Sequence, residues 1–445
     1  MTDILTIILG AGEGTRMKSD HPKVLHKVGG RPMLGHVLAA CAEAGANQRH
    51  VVLGPNHDEL RDYAKSVDSQ ITSSVQADRL GTGHAVQQAR ATWSDFDGYV
   101  LVLFADNPLI SPDVIKDTVE SLDHGADLAV VGFQTENPFG YGRILVEHGQ
   151  VKAIREEKDA SSAERKIKFC NSGIMGFKAN CLRAVIDEIK NDNVKGEYYL
   201  TDAVELANAQ GMKVHSVECP FVNVLGVNDR AQLAEAERIF QGERRAHFMK
   251  EGVTLVAPET VFFSFDTKIE NDVVIEPNVV FGPGVTVEKG SHIQAFSHLE
   301  GAHVGPEGQI GPYARLRPGS KLAAKVKVGN FVETKKADIG EGSKVNHLSY
   351  IGDSKIGTGT NIGAGTITCN YDGKNKAVTE IGNNAFIGSN SALVAPVSIA
   401  DGAYVASGSV ITKNVEKNAL AIGRARQENK ENYAERIRAR WEKSE

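Results

Sequence analysis

Residues 269–411 place a hydrophobic side chain at every sixth position over long stretches. A period of six matches neither the 3.6-residue repeat of an α-helix nor the two-residue alternation of a strand. It is typical of hexapeptide repeats that fold into a β-helix. The members of the series are Ile269, Ile275, Phe281, Val287, Ile293, Leu299, Val304, Ile310, Leu316, Leu322, Val328, Ile339, Val345, Ile351, Ile356, Ile362, Ile381, Ile387, Leu393, Ile399, Val405 and Ile411.

The residue after the hydrophobic position is often glycine, as in Ile310-Gly311 and Ile387-Gly388. Because glycine tolerates unusual backbone angles, each hexad is predicted to form one short strand and one corner, with its aliphatic side chain inside. About three hexads would close one triangular turn, and turns would stack at roughly 4.8 Å. Segments 331–336 and 368–376 break the count. Such segments are predicted to turn outward, where function concentrates.

The first half of the chain alternates apolar runs with amphipathic segments. Strands are predicted over 4–9, 50–54 and 99–104, and a helix over 85–91, which is typical of an α/β sheet. Residues 229–250 carry apolar side chains at helical spacing and are predicted to form a helical arm that packs on one domain. The predicted division is therefore an α/β domain over 1–228, a helical linker over 229–250, and a β-helix with a charged tail over 251–445. Tyr433, Ile437 and Trp441 predict an amphipathic helix in that tail.

Composition excludes several classes of protein. The net charge of -6 does not favour nonspecific nucleic-acid binding. No uninterrupted apolar run approaches ~18 residues and no signal peptide is evident, so neither a membrane span nor export is expected. The five cysteines form no CxxC pair, which indicates a reducing compartment and no metal cluster. We therefore expect a cytoplasmic protein.

The first predicted strand runs into the glycines Gly10, Gly12 and Gly14, followed by Arg16 and Lys23. Backbone N–H groups in such a turn can approach a phosphate closely, and two cations beside it suit a polyphosphate. A tight βα connection alone is the alternative.

A second glycine turn, 76–85, begins with Gln76, whose amide both donates and accepts hydrogen bonds, as reading a base edge requires. A polar surface residue is the alternative for Gln76. His84 is interpreted as a packing residue or one at the N-terminus of a helix.

Asp106 follows the apolar run 99–104. In open α/β sheets the ligand crevice lies beyond the carboxyl ends of the strands, and a carboxylate there is a suitable ligand for Mg²⁺. Asn228 could add a neutral oxygen. A turn or helix-capping aspartate is the alternative.

These motifs together resemble a known family. Residues 9–16 with Pro22-Lys23 are similar to the sugar-nucleotidyltransferase signature, and residues 361–373 are the most specific match. Over nearly its whole length the chain resembles the bacterial bifunctional N-acetylglucosamine-1-phosphate uridylyltransferases / glucosamine-1-phosphate N-acetyltransferases. The resemblance implies a Rossmann-like nucleotidyltransferase α/β domain, a linker helix and a left-handed parallel β-helix.

The resemblance implies acetyl transfer from acetyl-CoA to glucosamine-1-phosphate, then uridylyl transfer from UTP to give UDP-N-acetylglucosamine, with Mg²⁺ as cofactor. It also implies a homotrimer with acetyl-CoA between neighbouring prisms. Two alternatives remain open: a single-activity nucleotidyltransferase whose β-helix only oligomerises, and a non-enzymatic scaffold. The ligand-type groups at Lys335, His347, Tyr350 and Asn361 weigh against the first alternative, and the cationic and metal-type positions weigh against the second.

Roles are implied residue by residue. The resemblance implies a nucleotide and sugar site made of Leu9, Gly10, Ala11, Gly12, Arg16, Lys23, Gln76, Gly81, Thr82, Asp106, Gly142, Glu156, Asn171 and Asn228. Arg16 and Lys23 would neutralise phosphates, and Asp106 and Asn228 would bind Mg²⁺. His347 would be the general base, a task that suits imidazole near neutral pH; a capping or surface histidine is the alternative. The acetyl-transfer site around His347 would also contain Arg317, Lys335, Tyr350 and Asn361 for the sugar phosphate, and Ala364, Asn370, Tyr371, Ser389, Ser407 and Arg424 for acetyl-CoA.

Four positions depart from the family pattern, the first being Phe104, where tyrosine is usual. Ala105 stands where glycine is usual, Ser407 where alanine is common, and Gly10 where alanine is usual. The methyl group of Ala105 is expected to crowd the ribose or sugar side, whereas the changes at Ser407 and Gly10 are expected to be mild.

Overall fold

The structure is a computed structural model that describes residues 2–442. The chain divides into two compact units, Met1–Glu243 and Arg244–Glu445. Met1 and residues 443–445, which the predicted first domain and tail include, lie outside the described residues.

The first unit is built on a mixed sheet whose strands lie in the order β11-β7-β10-β6-β1-β4-β5. Strand β10 is antiparallel to β6 and β7, and the other neighbours along this order are parallel. The antiparallel pair β8–β9 joins the sheet at β10, and β2–β3 is a separate hairpin. The strands are β1 Ile4–Gly10, β2 Lys27–Val28, β3 Arg31–Pro32, β4 Gln48–Leu53, β5 Thr72–Val75, β6 Tyr99–Phe104, β7 Leu128–Gln134, β8 Gly142–Glu147, β9 Gln150–Arg155, β10 Phe169–Lys178 and β11 Val214–Glu218.

The central strand β1 is buried at all seven residues, which agrees with its unbroken apolar sequence. The predicted helix over 85–91 was wrong in its bounds: one helix begins at Thr82, directly after Gly81, and a second begins at Arg90. Gly81 has a φ of 110°, which glycine alone adopts readily, so the chain can enter the helix three residues early. The helices are α1 Met33–Glu43, α2 Asp58–Val67, α3 Thr82–Gln88, α4 Arg90–Trp93, α5 Pro112–Asp123, α6 Ala179–Val185, α7 Ala203–Ala209, α8 Arg230–Lys250 and α9 Tyr433–Trp441, with short 3-10 turns at Thr15–Met17, Lys23–Leu25, Glu164–Lys166, Leu200–Asp202, Phe221–Val224 and Pro258–Thr260.

Helix α8 occupies the predicted linker segment. Its residues Leu233, Ala236, Ile239 and Phe240 pack against a small cluster of the first unit that includes Met33. Glu237 accepts a hydrogen bond from the backbone N–H of Gly29 at 2.7 Å. The apolar stripe of the helix therefore packs on the first unit.

The second unit is a parallel β-helix with three faces. The first face is formed by β12 Thr254–Leu255, β14 Val274–Ile275, β17 His292–Ile293, β20 Gln309–Ile310, β23 Lys327–Asn330, β25 Lys344–His347, β27 Asn361–Ile362, β30 Phe386–Ile387, β33 Tyr404–Val405 and β35 Leu420–Ala421. The second face is formed by β15 Val280–Phe281, β18 His298–Leu299, β21 Arg315–Leu316, β28 Ile367–Cys369, β31 Ala392–Val394 and β34 Val410–Ile411 together with the starts of β24 Glu333–Ile339 and β26 Tyr350–Ile356. The third face is formed by β13 Lys268–Ile269, β16 Thr286–Val287, β19 Ala302–Val304, β22 Ser320–Leu322, β29 Thr379–Ile381 and β32 Val397–Ile399 together with the ends of β24 and β26.

Strand pairing gives the length of each turn. Val274 pairs with His292, so that turn takes 18 residues, as three hexads predict. Glu333 pairs with Tyr350, a turn of 17 residues. Ser354 pairs with Thr379, a turn of 25 residues, because residues 370–378 leave the prism as a loop. The hexad series forms the core of the prism, with only Ile269 partly exposed.

The predicted break at 331–336 was wrong for residues 333–336, because β24 begins at Glu333 and runs through them without interruption. Thr334 occupies the core position, fully buried, with its hydroxyl 2.8 Å from that of Ser320. Thr368 is buried in the same way, and its hydroxyl accepts a hydrogen bond from the Gly352 N–H at 2.7 Å. Threonine therefore continues the repeat where the hydrophobic series stops.

The corner between the first and second faces changes character along the prism. Four consecutive turns in the N-terminal half of the prism carry Phe296, Tyr313, Phe331 and Leu348 at this corner, all at positive φ and more than 40% exposed. The first three rings stack at centroid distances of 4.9 and 5.2 Å. The next turns carry Gly365, Asn390 and Gly408 at this corner. The residues at this corner therefore change from bulky to small after the turn that contains Leu348.

Helix α9 lies in the predicted tail, and its residues are exposed. Among residues 2–442, no helix combines the length and the apolar character that crossing a bilayer requires. The cysteines are free thiols, and all but Cys369 are buried.

Candidate functional sites

A cleft of about 270 Å³ lies where β1 and β6 end, at the carboxyl edge of the first unit's sheet. Nine of the predicted residues line it: Leu9, Gly10, Ala11, Gly12, Lys23, Gln76, Gly81, Thr82 and Asp106. The lining also contains Val24, Arg79, Ala85, Phe104 and Glu197. The glycine turns after β1 and β5 thus meet in one cavity, where parallel strands of an open sheet present ligand-binding loops.

Arg79 fixes the first glycine turn and was missed by the sequence analysis. Its Nε donates to the carbonyl of Ala11 at 2.7 Å, and its Nη1 donates to the carboxylate of Glu13 at 2.6 Å. Gly14 has a φ of 65°, and a side chain there would collide with Lys23. This close approach brings Lys23 against the turn. The position of Arg79 between Gln76 and Gly81 was the available signal.

Four predicted residues meet beside the cleft. Lys23 Nζ donates to the carboxylate of Asp106 and to Asn228 Oδ1, the latter at 3.2 Å, and Arg16 donates to the same oxygen at 2.9 Å. One cation therefore reaches both Asp106 and Asn228, whose oxygens are the kind of ligand that Mg²⁺ prefers. This donor set fits the predicted Mg²⁺ site, although among the described residues no group of three or more His, Cys, Asp or Glu is arranged to hold a metal.

The resemblance implies that Gly142, Glu156 and Asn171 hold the sugar, and these residues form a second set. Gly142 pairs with Asn171 across β8 and β10, and a Cβ at Gly142 would lie 3.3 Å from Glu156 Oε1. Thr201 donates to that same oxygen at 3.4 Å. Burial raises the pKa of Glu156, against the opposing effects of Lys195 and Thr201. The structure brings these three predicted residues together, but they are not among the residues that line the 270 Å³ cleft.

Two sequence interpretations are corrected in this unit. Ala105 is fully buried in the core and does not line the cleft, so its methyl group does not crowd a ligand. A Cβ at Gly10 would lie 3.6 Å from the methyl of Ala105, inside the same packed layer. Gln76 is only 4% exposed, so it is not a surface residue.

A cluster of three cations lies at the corner between the second and third faces of the prism. The Lys376 ammonium lies against Lys335 and lowers the pKa of Lys335, and Arg317 adds to this effect. The carboxylate of Glu333 accepts a hydrogen bond from Arg317 at 2.8 Å and raises the pKa of Arg317. Lys376 was not predicted as a site residue, although it lies in the predicted outward loop. Such a cluster is suited to a phosphate dianion.

His347 ends β25 at the corner between the first and second faces and is exposed. Its Nδ1 lies 2.7 Å from Oδ1 of Asn330, which pairs with it on the turn below. Because an amide oxygen only accepts, Nδ1 donates this hydrogen bond, and in the neutral ring the lone pair is on Nε2. The ring is therefore oriented with a basic nitrogen available.

The predicted acetyl-CoA residues divide between two edges. Backbone hydrogen bonds stack the chain at the His347 corner, with Gly365 N–H donating to the carbonyl of His347, Asn390 N–H to that of Ala364 and Gly408 N–H to that of Ser389. Ser407 precedes Gly408 on this corner, and Arg424 Cδ lies 3.7 Å from where a Cβ at Gly408 would stand.

The remaining predicted residues lie elsewhere on the prism. Asn370 and Tyr371 lie on the outward loop, and Asn370 donates to the carboxylate of Asp353. Tyr350 is on the second face between the two edges, with its hydroxyl over Gly352, and Asn361 is on the first face. The single chain therefore does not gather all of these residues at one point.

Comparison with known proteins gives a match for each unit. Residues 6–168 match the model of the MobA-like NTP transferase domain. Residues 266–301 and 379–413 match the bacterial transferase hexapeptide (six repeats). A solved structure of UDP-glucose pyrophosphorylase complexed with UDP-glucose covers 55% of this chain and 100% of its own, at 20% identity and a TM-score of 0.45.

Curated relatives match over nearly their full length. One from Agrobacterium fabrum is 55% identical, covering 98% of this chain and 96% of the relative. One from Zymomonas mobilis is 49% identical, covering 98% of each chain. Both are named bifunctional protein GlmU. At this identity and coverage, the chain belongs to the family of bifunctional GlmU proteins.

Proposed function

We propose that each unit of this bifunctional transferase carries its own reaction. The second unit transfers acetyl from acetyl-CoA to glucosamine-1-phosphate, and the first transfers uridylyl from UTP to the resulting N-acetylglucosamine-1-phosphate. The observation that carries the proposal is that each unit holds its own cluster: Lys23 with Asp106 and Asn228 in one, and Lys335 with Lys376 and Arg317 in the other.

In uridylyl transfer, an oxygen of the sugar phosphate attacks the α-phosphorus of UTP, and the bond to the leaving pyrophosphate breaks. Both partners are anionic, so the main requirements are alignment and charge neutralisation. Backbone N–H groups of the glycine turn hold the nucleotide, and Arg16 and Lys23 oppose the phosphate charge. Bound at Asp106 and Asn228, Mg²⁺ would supply further positive charge on the phosphates.

In acetyl transfer, the amine nitrogen of the sugar attacks the thioester carbonyl. The C–S bond breaks, the amine proton passes to His347 Nε2, and His347 then gives it to the departing thiolate, so that coenzyme A leaves as its thiol. Asn330 keeps Nδ1 protonated and so leaves Nε2 as the acceptor. The cation cluster of Arg317, Lys335 and Lys376 holds the sugar phosphate.

The Lys376 contribution can be measured separately. We expect Lys376→Met to raise the KM for glucosamine-1-phosphate roughly tenfold, the effect of one charge-assisted contact, with little change in kcat. Removal of the neighbouring ammonium should also raise the pKa of Lys335, which an NMR titration would follow. Lys374→Met, on the same loop, is the matched control. An unchanged KM in Lys376→Met would exclude this contact.

We further propose that the protein acts in the cytoplasm and that its prism forms a homotrimer. Phe386, Tyr404 and Leu420 form an exposed apolar column on the C-terminal turns of the first face, next to the polar Asn361. Ile367 and Val410 are exposed on the upper second face. Packing the first face of one copy on the second face of the next closes a ring of three around a triangular prism. A neighbouring copy would then face the His347 corner.

If the trimer forms through these faces, Tyr404→Glu should prevent its formation. Tyr404→Glu would bury a charge in the apolar contact and should leave a species near 47.9 kDa in sedimentation, in place of one three times heavier. Lys327→Glu, in the polar part of the same face, should remain trimeric. A monomeric unaltered protein would refute the proposed assembly.

One assay tests the function as a whole. Purified protein with glucosamine-1-phosphate and acetyl-CoA should release coenzyme A, and addition of UTP should then release pyrophosphate. Pyrophosphate release without any acetyl transfer would indicate a single-activity nucleotidyltransferase.

A further inference from the structure

The side-chain amide of Gln76 is held in one orientation within the nucleotide cleft. Gln76 Nε2 donates to the carbonyl oxygen of Gly81 at 3.0 Å and lies 3.1 Å from Nδ1 of His84. A primary amide has two N–H donors, and each is directed at one of these two atoms. The amide oxygen is therefore the only polar atom of this side chain left for a ligand.

The tautomer of His84 follows from these contacts. Because the Gly81 carbonyl can only accept, the amide nitrogen must face that side of the cleft. Nδ1 of His84 then accepts the second amide proton, so the ring carries its own proton on Nε2. Gln88 Nε2 lies 3.0 Å from Nε2 of His84, one turn further along α3. Because two donors cannot pair, the Gln88 amide must be turned by 180° so that its oxygen accepts that proton.

A fixed amide oxygen distinguishes pyrimidine bases by their N3 atoms. Uracil carries a proton on N3 and can donate it to this oxygen. Cytosine has a lone pair on N3, which the oxygen would repel, and no donor replaces it. A site that pairs one base and leaves the other unpaired discriminates strongly, because the unpaired polar groups are desolvated without compensation.

We propose that His84 is the positioning residue that fixes the Gln76 amide, with its oxygen toward the ligand, and so makes the cleft select a base with an N3–H donor over cytosine. The proposal rests on the uridylyl transfer proposed above. Without His84, the bond to Gly81 alone leaves the amide able to pivot, and its second N–H can turn toward the N3 of cytosine.

The ratio of kcat/KM for UTP to that for CTP tests this role. The unaltered protein should prefer UTP by roughly 10²–10⁴-fold. His84→Ala should lower that ratio by about tenfold or more, because one fixed hydrogen bond is worth about this factor. His84→Asn, whose Oδ1 can accept as Nδ1 does, should keep the ratio within about threefold of the original.

Two further measurements separate a specific role from a structural one. His84→Leu keeps bulk at the site without an acceptor and should match His84→Ala. Binding of UTP and CTP to each variant without the sugar phosphate, followed by isothermal calorimetry, should show the same change in selectivity as turnover. Acetyl transfer, which occurs in the other unit, reports whether each variant is folded.

Failure of the proposed uridylyl transfer and failure of the His84 inference would give different results. An unaltered protein that forms no product from UTP would refute the proposed uridylyl transfer itself. If UTP is used but His84→Ala and His84→Leu lose rate equally with UTP and CTP, His84 is only structural and the inference is overturned. His84→Asn with the relaxed ratio of His84→Ala would also overturn it, because acceptance at that position would then not matter.

Discussion

Asp106→Ala is expected to reduce uridylyl transfer by roughly 10³-fold while leaving acetyl transfer within about twofold of the original rate. Asp106 is the anionic partner of Lys23, and together with Asn228 it supplies the oxygen ligands proposed for Mg²⁺. Its loss removes the charged ligand and leaves the Lys23 ammonium in a largely buried position without its anion. Pyrophosphate release and coenzyme A release, measured on one preparation, give the two rates.

Asp106→Asn is the matched control for this substitution, because it preserves the shape of the side chain and one acceptor oxygen. We expect it to retain the fold and to lose most of the uridylyl transfer, since a neutral oxygen balances neither Lys23 nor a divalent cation. Parallel loss of both activities in the folded Ala variant would argue against separate sites in the two units.

His347→Ala is expected to slow acetyl transfer by about 10²–10⁴-fold, the range typical of a lost general base, with uridylyl transfer unchanged. Nε2 is the free nitrogen of an imidazole whose other nitrogen is committed to Asn330. The KM for both substrates should change far less than kcat, because His347 acts on the reacting amine. Coenzyme A release at saturating substrate measures this effect.

His298→Ala provides the control, since this residue is also an exposed histidine of the second unit but lies on the strand β18. It should retain full acetyl transfer. A normal acetyl-transfer rate in His347→Ala would remove the assignment of this residue as the base.

The architecture was predictable because both units repeat a simple pattern. The hexads mark the core of the prism one position at a time, and all but Ile269 are buried in the structure. The pattern failed at Thr334 and Thr368, because a threonine is polar by composition yet can occupy a core position when its hydroxyl finds a partner inside the prism. Those partners come from other turns, so local sequence cannot reveal them.

The site residues that could be predicted were those in family motifs or at the ends of predicted strands. The meeting of Lys23, Asp106 and Asn228 follows from loops at one edge of a parallel sheet. Lys376 and Arg79 were missed because their roles depend on the path of a loop: Lys376 reaches Lys335 only because residues 370–378 fold back, and Arg79 acts on a turn 68 positions earlier in the chain. His84 was interpreted as a packing residue or one at the N-terminus of a helix; it does lie in the first turn of α3, but its ring contact with Gln76 was not foreseen.

The buried methyl of Ala105 links two departures that look independent along the chain. The resemblance implies alanine at position 10 and glycine at position 105, where this chain has Gly10 and Ala105. A Cβ at Gly10 would lie 3.6 Å from the Ala105 methyl and 3.4 Å from Leu60, so both positions border the same part of the core beneath the first glycine turn. These distances are ordinary van der Waals contacts, so a methyl group at position 10 and the methyl of Ala105 could pack side by side. A chimaera that takes β1 from a relative with alanine at position 10 should therefore fold without a matching change at Ala105.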